Sequence, residues 1–157
     1  MSAKFELIDV DEVKCHPVIP GHNPRLVELD EPCHIVFKRD GLTVKIVAPE
    51  GFVWDQASIP YTAISIIRVL PGGAMNLASL WHDGGYRTKG FRKTHGQHGI
   101  PEFELPEGYT MSRKEVDLLF RDLMAYTTSY NRFQIAACYA AVRLAGRRFY
   151  GGDAPKF

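Results

Sequence analysis

The order of apolar and polar positions changes character half way along the chain. Residues Phe5–Asp9 alternate, as a half-buried strand does. Asp40-Gly41 is a two-residue turn dipeptide, because both positions of a type I′ turn need φ > 0 and Asp and Gly tolerate it. Pairing outward from that turn sets Phe37 opposite Val44 and Ile35 opposite Ile46 on one face, with Lys38 and Thr43 on the other. The pattern therefore predicts a hairpin over 34–47. Further on the period becomes helical. Ala74–Asp83 carries Leu77, Leu80 and Trp81 at helical spacing, and Gly84-Gly85 is expected to stop that helix. Ser112 and Glu115 form a capping box that opens a helix to about Tyr126, burying Val116, Leu119, Phe120 and Leu123. An alanine-rich helix is predicted from about Asn131 to Ala145, with Gly146 near its end. Strands followed by helices predict an α+β fold: N-terminal antiparallel strands, including the hairpin, packed on about three C-terminal helices. The stretch 87–109, with Gly90, Gly96, Gly99, Pro101 and Pro106, reads as a long loop of the kind that is usually functional or mobile.

Composition narrows the class without changing this picture. The chain has 157 residues, 45% of them hydrophobic and 24% charged, with 19 basic and 18 acidic residues and a net charge of +1. This suits one globular domain over 1–157 and gives no strong signal for nucleic acid. The longest apolar runs, such as Ile135–Val142, fall well short of the ~20 residues of a membrane span. The N-terminal residues lack the apolar core of a secretory signal, so a cytosolic protein is expected. Cys15, Cys33 and Cys138 are an odd set without Cys-x-x-Cys spacing, which argues against disulfides and a zinc ribbon. Charge is uneven. Residues 1–32 are net negative, whereas Arg87–His98 holds Arg87, Lys89, Arg92 and Lys93 and no acid, which suggests a basic loop near an anionic ligand.

Three places could carry chemistry. In Gly51–Pro60, Asp55 and Ser58 sit between the apolar anchors Phe52, Trp54 and Ile59. They either cap local backbone amides or place a carboxylate in a half-buried site. His82-Asp83 at a helix end either binds a cation or ends the helix, with Asp83 pairing with Arg87. Asp117 lies beside an apolar stripe, four residues from Arg113 and from Arg121. It either joins an ion-pair ladder or turns inward toward His82 and Asp83. Nucleophile-elbow, Walker, His-Glu-x-x-His and Gly-x-Gly-x-x-Gly motifs are missing.

Gly51-Phe-x-x-Asp-x-Ala-Ser-Ile-Pro60, Leu80-Trp-His-Asp83 with Tyr86, and Ser112-Arg-x-x-x-Asp117 with Phe120 together resemble the DUF1353 proteins of phages and prophages, over roughly residues 33–150. On that resemblance 1–32 is an N-terminal extension and Lys89–Gly99 a local basic insert. Trp54 departs from the small polar residue usual before the Asp. The resemblance implies a phage setting, in the host bacterial cytoplasm or the virion, and points to Asp55, Ser58, His82, Asp83 and Asp117. It supplies no reaction.

Three functions fit these residues. In a metal-dependent hydrolase, His82, Asp83 and Asp117 would hold Zn²⁺, Mn²⁺ or Fe²⁺, with Asp55 as a further ligand or base. Such an ion lowers the pKa of bound water from 15.7 toward ~7 in the strongest case. Ser58, Tyr86, Arg87 and Arg92 would then bind an anionic or cell-wall substrate. In a virion or assembly protein contacting other phage structural proteins, the same residues would form a buried polar network. A host-interfering binding module is the third. Convergence of Asp55, His82, Asp83 and Asp117 would demand a metal, a shared proton or an arginine such as Arg113 or Arg121.

Overall fold

The computed structural model describes residues 5–18, 26–55, 75–91, 102–148 and 150. Six strands precede three helices: β1 (Glu6–Val10), β2 (Cys15–Pro17), β3 (Leu26–Leu29), β4 (Cys33–Arg39), β5 (Leu42–Ala48) and β6 (Val53–Asp55), then α1 (Met75–Arg87), α2 (Arg113–Thr127) and α3 (Arg132–Ala145), with a 3₁₀ turn over Gly146–Arg148. The fold is α+β. The strands form two antiparallel three-stranded sheets, ordered β1-β4-β5 and β2-β3-β6. The segment 1–32, read from sequence as an extension, contributes β1 to one sheet and β2 and β3 to the other.

The β4–β5 hairpin has the predicted register, with Ile35 opposite Ile46, Phe37 opposite Val44 and Lys38 opposite Thr43. Asp40 and Gly41 both take positive φ, 50° and 80°, as a type I′ turn requires. The alternation then buries Cys33, Ile35 and Phe37 on β4 and Val44, Ile46 and Ala48 on β5. Two polar ties fix this sheet to α2: the ion pair of Arg39 with Glu115, and the Phe5 amide donating to Asp122 Oδ2 at 3.0 Å.

The predicted capping box is present at the start of α2. The Glu115 amide donates to Ser112 Oγ at 3.3 Å, and the Ser112 amide donates to the Glu115 side chain at 2.5 Å. Asn131 and Gln134 make the same reciprocal pair at α3.

The expected end of the first helix is corrected. Helix α1 runs through Gly84 and Gly85 to Arg87. The glycines serve packing instead. A Cβ on Gly85 would lie 2.6 Å from Val116 Cγ1, and one on Gly84 would lie 2.5 Å from the Phe103 ring. Their bare backbone lets α2 and Phe103 close on α1. Part of the long loop is also anchored, since Glu104 exchanges backbone hydrogen bonds with Val47 at 2.9 and 3.0 Å. One apolar cluster runs from the sheets through these helices, with Trp54, Trp81, Phe52 and Phe120 among its largest buried side chains. Among the described residues no helix is long and apolar enough to cross a membrane.

Candidate functional site: a buried histidine–carboxylate pair

Helix α1 presents two adjacent i, i+4 pairs. His82 and Tyr86 form one and face α2; Asp83 and Arg87 form the other and face β6. The close approach at Gly85 brings the first pair to Asp117, which has no exposed surface. His82 Nε2 lies 2.9 Å from Asp117 Oδ1, and the Tyr86 hydroxyl donates to the same oxygen at 2.6 Å. Arg143, on α3, donates from Nη1 to Oδ2 at 2.7 Å. Three elements thus meet on one carboxylate. The His82 ring also packs against Tyr86 and Phe120, with centroids 4.1 and 4.8 Å away.

Burial opposes a charge on Asp117. The hydrogen bonds from His82, Tyr86 and Arg143 outweigh that penalty and hold its carboxyl below the usual carboxylate range. The same contacts act on the partners. Burial, and then the bond to Asp117, push the Tyr86 phenol up, while the bond to Asp117 raises the Arg143 guanidinium further. Since an ionised Asp117 only accepts, Nε2 carries the hydrogen of a neutral His82 and Nδ1 carries the lone pair.

The second pair points the other way. Asp83 Oδ2 pairs with Arg87, and Arg87 Nη1 donates to the Val53 carbonyl at 2.5 Å. The Asp55 amide donates to the Asp83 carboxylate, and the Arg87 guanidinium lies 5.2 Å over the Phe52 ring. Burial raises the Asp83 carboxyl despite Arg87 and His82, and lowers the Arg87 guanidinium despite Asp83. Both members are drawn toward their neutral forms.

The four residues singled out from sequence therefore fall into two clusters joined by the His82–Asp83 backbone. His82 and Asp117 bond each other directly. Asp83 meets Asp55 and Arg87. Among the described residues no three His, Cys, Asp or Glu side chains gather as a group able to hold a metal ion. Tyr86 and Arg87 serve the two carboxylates, one each. Ser58 and Arg92 lie outside the described residues. Neither arginine expected beside Asp117 bonds it: Arg121 pairs with Asp122, while Arg113 acts on Tyr86 at the edge of the cluster and donates from Nη1 to the Arg143 carbonyl at 3.1 Å. The cation on Asp117 is Arg143, which the sequence reading did not single out. Its only mark in the sequence is to be the lone charged residue between Arg132 and Arg147 of an alanine-rich helix.

These features define a small α+β protein built around a buried histidine–carboxylate pair. The chain belongs to the DUF1353 family of proteins of unknown function, whose model matches residues 27–142. That span contains Asp55, His82, Asp83, Tyr86 and Asp117, and ends one residue before Arg143. No curated protein and no solved structure matches the chain.

Proposed function

We propose that this protein is a hydrolase in which His82, held by Asp117, is the general base that activates water. The observation that carries the reading is the 2.9 Å contact of Nε2 with Asp117, which leaves Nδ1 with its lone pair. A carboxylate behind an imidazole fixes its tautomer and stabilises the imidazolium that forms when it takes a proton. On an ester or amide substrate, Nδ1 removes a proton from water and the resulting oxygen bonds to the carbonyl carbon. The bond to the leaving oxygen or nitrogen then breaks, and the proton on Nδ1 passes to that leaving atom. Tyr86 and Arg143 position Asp117 rather than touch the substrate.

A divalent ion, if used, would take Asp83 with Asp55 rather than Asp117, whose two oxygens are occupied by three donors. Two carboxylates make a hard oxygen site, which among Zn²⁺, Mn²⁺ and Fe²⁺ suits Mn²⁺ best. The ion would have to displace Arg87 from Asp83, and it would lie on the side of α1 that faces β6, away from the His82–Asp117 pair. We place the activity in a phage setting, in the host cytoplasm or on the virion, with an anionic or cell-wall substrate facing the basic stretch that begins at Arg87.

A second reading has its own support. Asp117 is fully buried and satisfied by three partners, as in a knot that only fastens helices together, which suits a virion or assembly protein. Turnover separates the two. The purified chain, assayed on carboxylic esters, amides and peptidoglycan with and without chelator, should release product from at least one class. Chelator sensitivity would assign an ion to Asp83. No turnover on any class, with a folded protein, would leave the knot.

A further inference from the structure

The outward face of α3 is apolar. Phe133 and Leu144 are 72% and 86% exposed. They stand eleven residues apart, roughly 16 Å along the axis at 1.5 Å per residue. Ala136 and Ala140 are exposed between them, in one strip at helical spacing. Cys138 and Val142, on the opposite side, are buried in the core. The helix is thus apolar on both sides, where an ordinary surface helix turns charged residues outward. Its charge is one-sided too. Residues 131–148 contain four arginines and no acidic residue. Arg143 is neutralised by Asp117, but Arg132 and Arg147 are exposed at the two ends of the strip.

We propose that this face docks on an anionic lipid surface, with Phe133 and Leu144 entering the boundary of the acyl chains and Arg132 and Arg147 meeting the phosphates. Charge favours this occupant over a second copy of the chain. A two-fold pairing of the strip would set like-charged helices, with no acidic residue on either, against each other. Two exposed apolar side chains with exposed arginines at the ends of the strip match a helix that lies in a lipid interface. This docking is independent of the hydrolase reading, because binding is measured without turnover.

The test is co-sedimentation of the full chain with phosphatidylcholine vesicles, with and without phosphatidylglycerol. The expected result is binding to the anionic vesicles that weakens with salt. The double variant Phe133→Ser, Leu144→Ser should bind about tenfold more weakly, with an unchanged thermal melt because both residues are exposed. Arg132→Gln with Arg147→Gln should remove most of the salt dependence. Absence of wild-type binding, or equal binding to neutral and anionic vesicles, overturns the proposal even if the variants do not fold. So does a serine variant that binds as tightly as the parent. A dimer in light scattering that the serine variant converts to monomer would give the face to a second copy instead.

Discussion

Asp117 shows how one residue can join three helices. It is a carboxylate without exposed surface, and it keeps its charge because His82, Tyr86 and Arg143 all donate to it. Asparagine in its place keeps one accepting oxygen but sets an NH₂ donor against either Arg143 or the imidazole, and breaking a buried pair from one side typically costs about 3–5 kcal/mol. Arg143 is part-exposed, so Asp117→Asn should fall near the lower figure, read by thermal or urea melting. The pH dependence follows from the direction of the shift. The folded carboxyl is held below its unfolded value. Its stabilisation is therefore complete above the ordinary carboxylate pKa of about 3.9 and is lost as pH falls through the lowered folded value. Melts of parent and Asp117→Asn from pH 7 downward should converge at the acid end. A constant difference at every pH would show that the charge of Asp117 contributes nothing.

At the scale of elements, what could be read in the sequence was local. The hairpin was legible because turn chemistry and period-two alternation agree within fourteen residues, and the α2 start because Ser112 and Glu115 act on each other's backbone. β2, β3 and β6 were not, since three or four residues give no period and depend on partners remote in sequence. Gly84-Gly85 misled for a physical reason. A glycine pair can end a helix or admit a neighbour, and only the position of Val116 and Phe103 decides between them. Two variants test these elements. Gly41→Val should cost more than about 1 kcal/mol, because a β-branched residue resists φ > 0. A melt that does not move would remove the turn's role. Gly85→Ala should cost about 1–3 kcal/mol as an overpacked contact, and Val116→Ala in the same chain should restore much of it. If the second change adds to the loss instead, close approach of α1 and α2 is not what Gly85 provides.

Across the whole molecule, the candidate site was half legible. The residues that carry it, His82, Asp83 and Asp117, stood out as polar groups among apolar neighbours, and they are the residues the fold engages. Their division into two clusters was not legible, because it depends on the side of α1 each occupies relative to α2 and β6. Nor was Arg143, whose partner is 26 residues away on another helix. The same arrangement ties chemistry to architecture: α3 both supplies the cation behind Asp117 and turns Phe133 and Leu144 outward. The sheets hold the other cluster through the Val53 carbonyl and the Asp55 amide.

The claim at the centre of this account is that His82 Nδ1 takes a proton from water. The most direct measurement is the turnover of His82→Gln against the parent, on whichever ester or amide the parent hydrolyses, with both shown to be folded by thermal melting. Glutamine keeps a polar group near Asp117 but removes the base. The account predicts a loss of about 10²–10⁴-fold, the usual contribution of a positioned general base, with the melt displaced far less than by Asp117→Asn. Turnover by His82→Gln equal to that of the parent would contradict it.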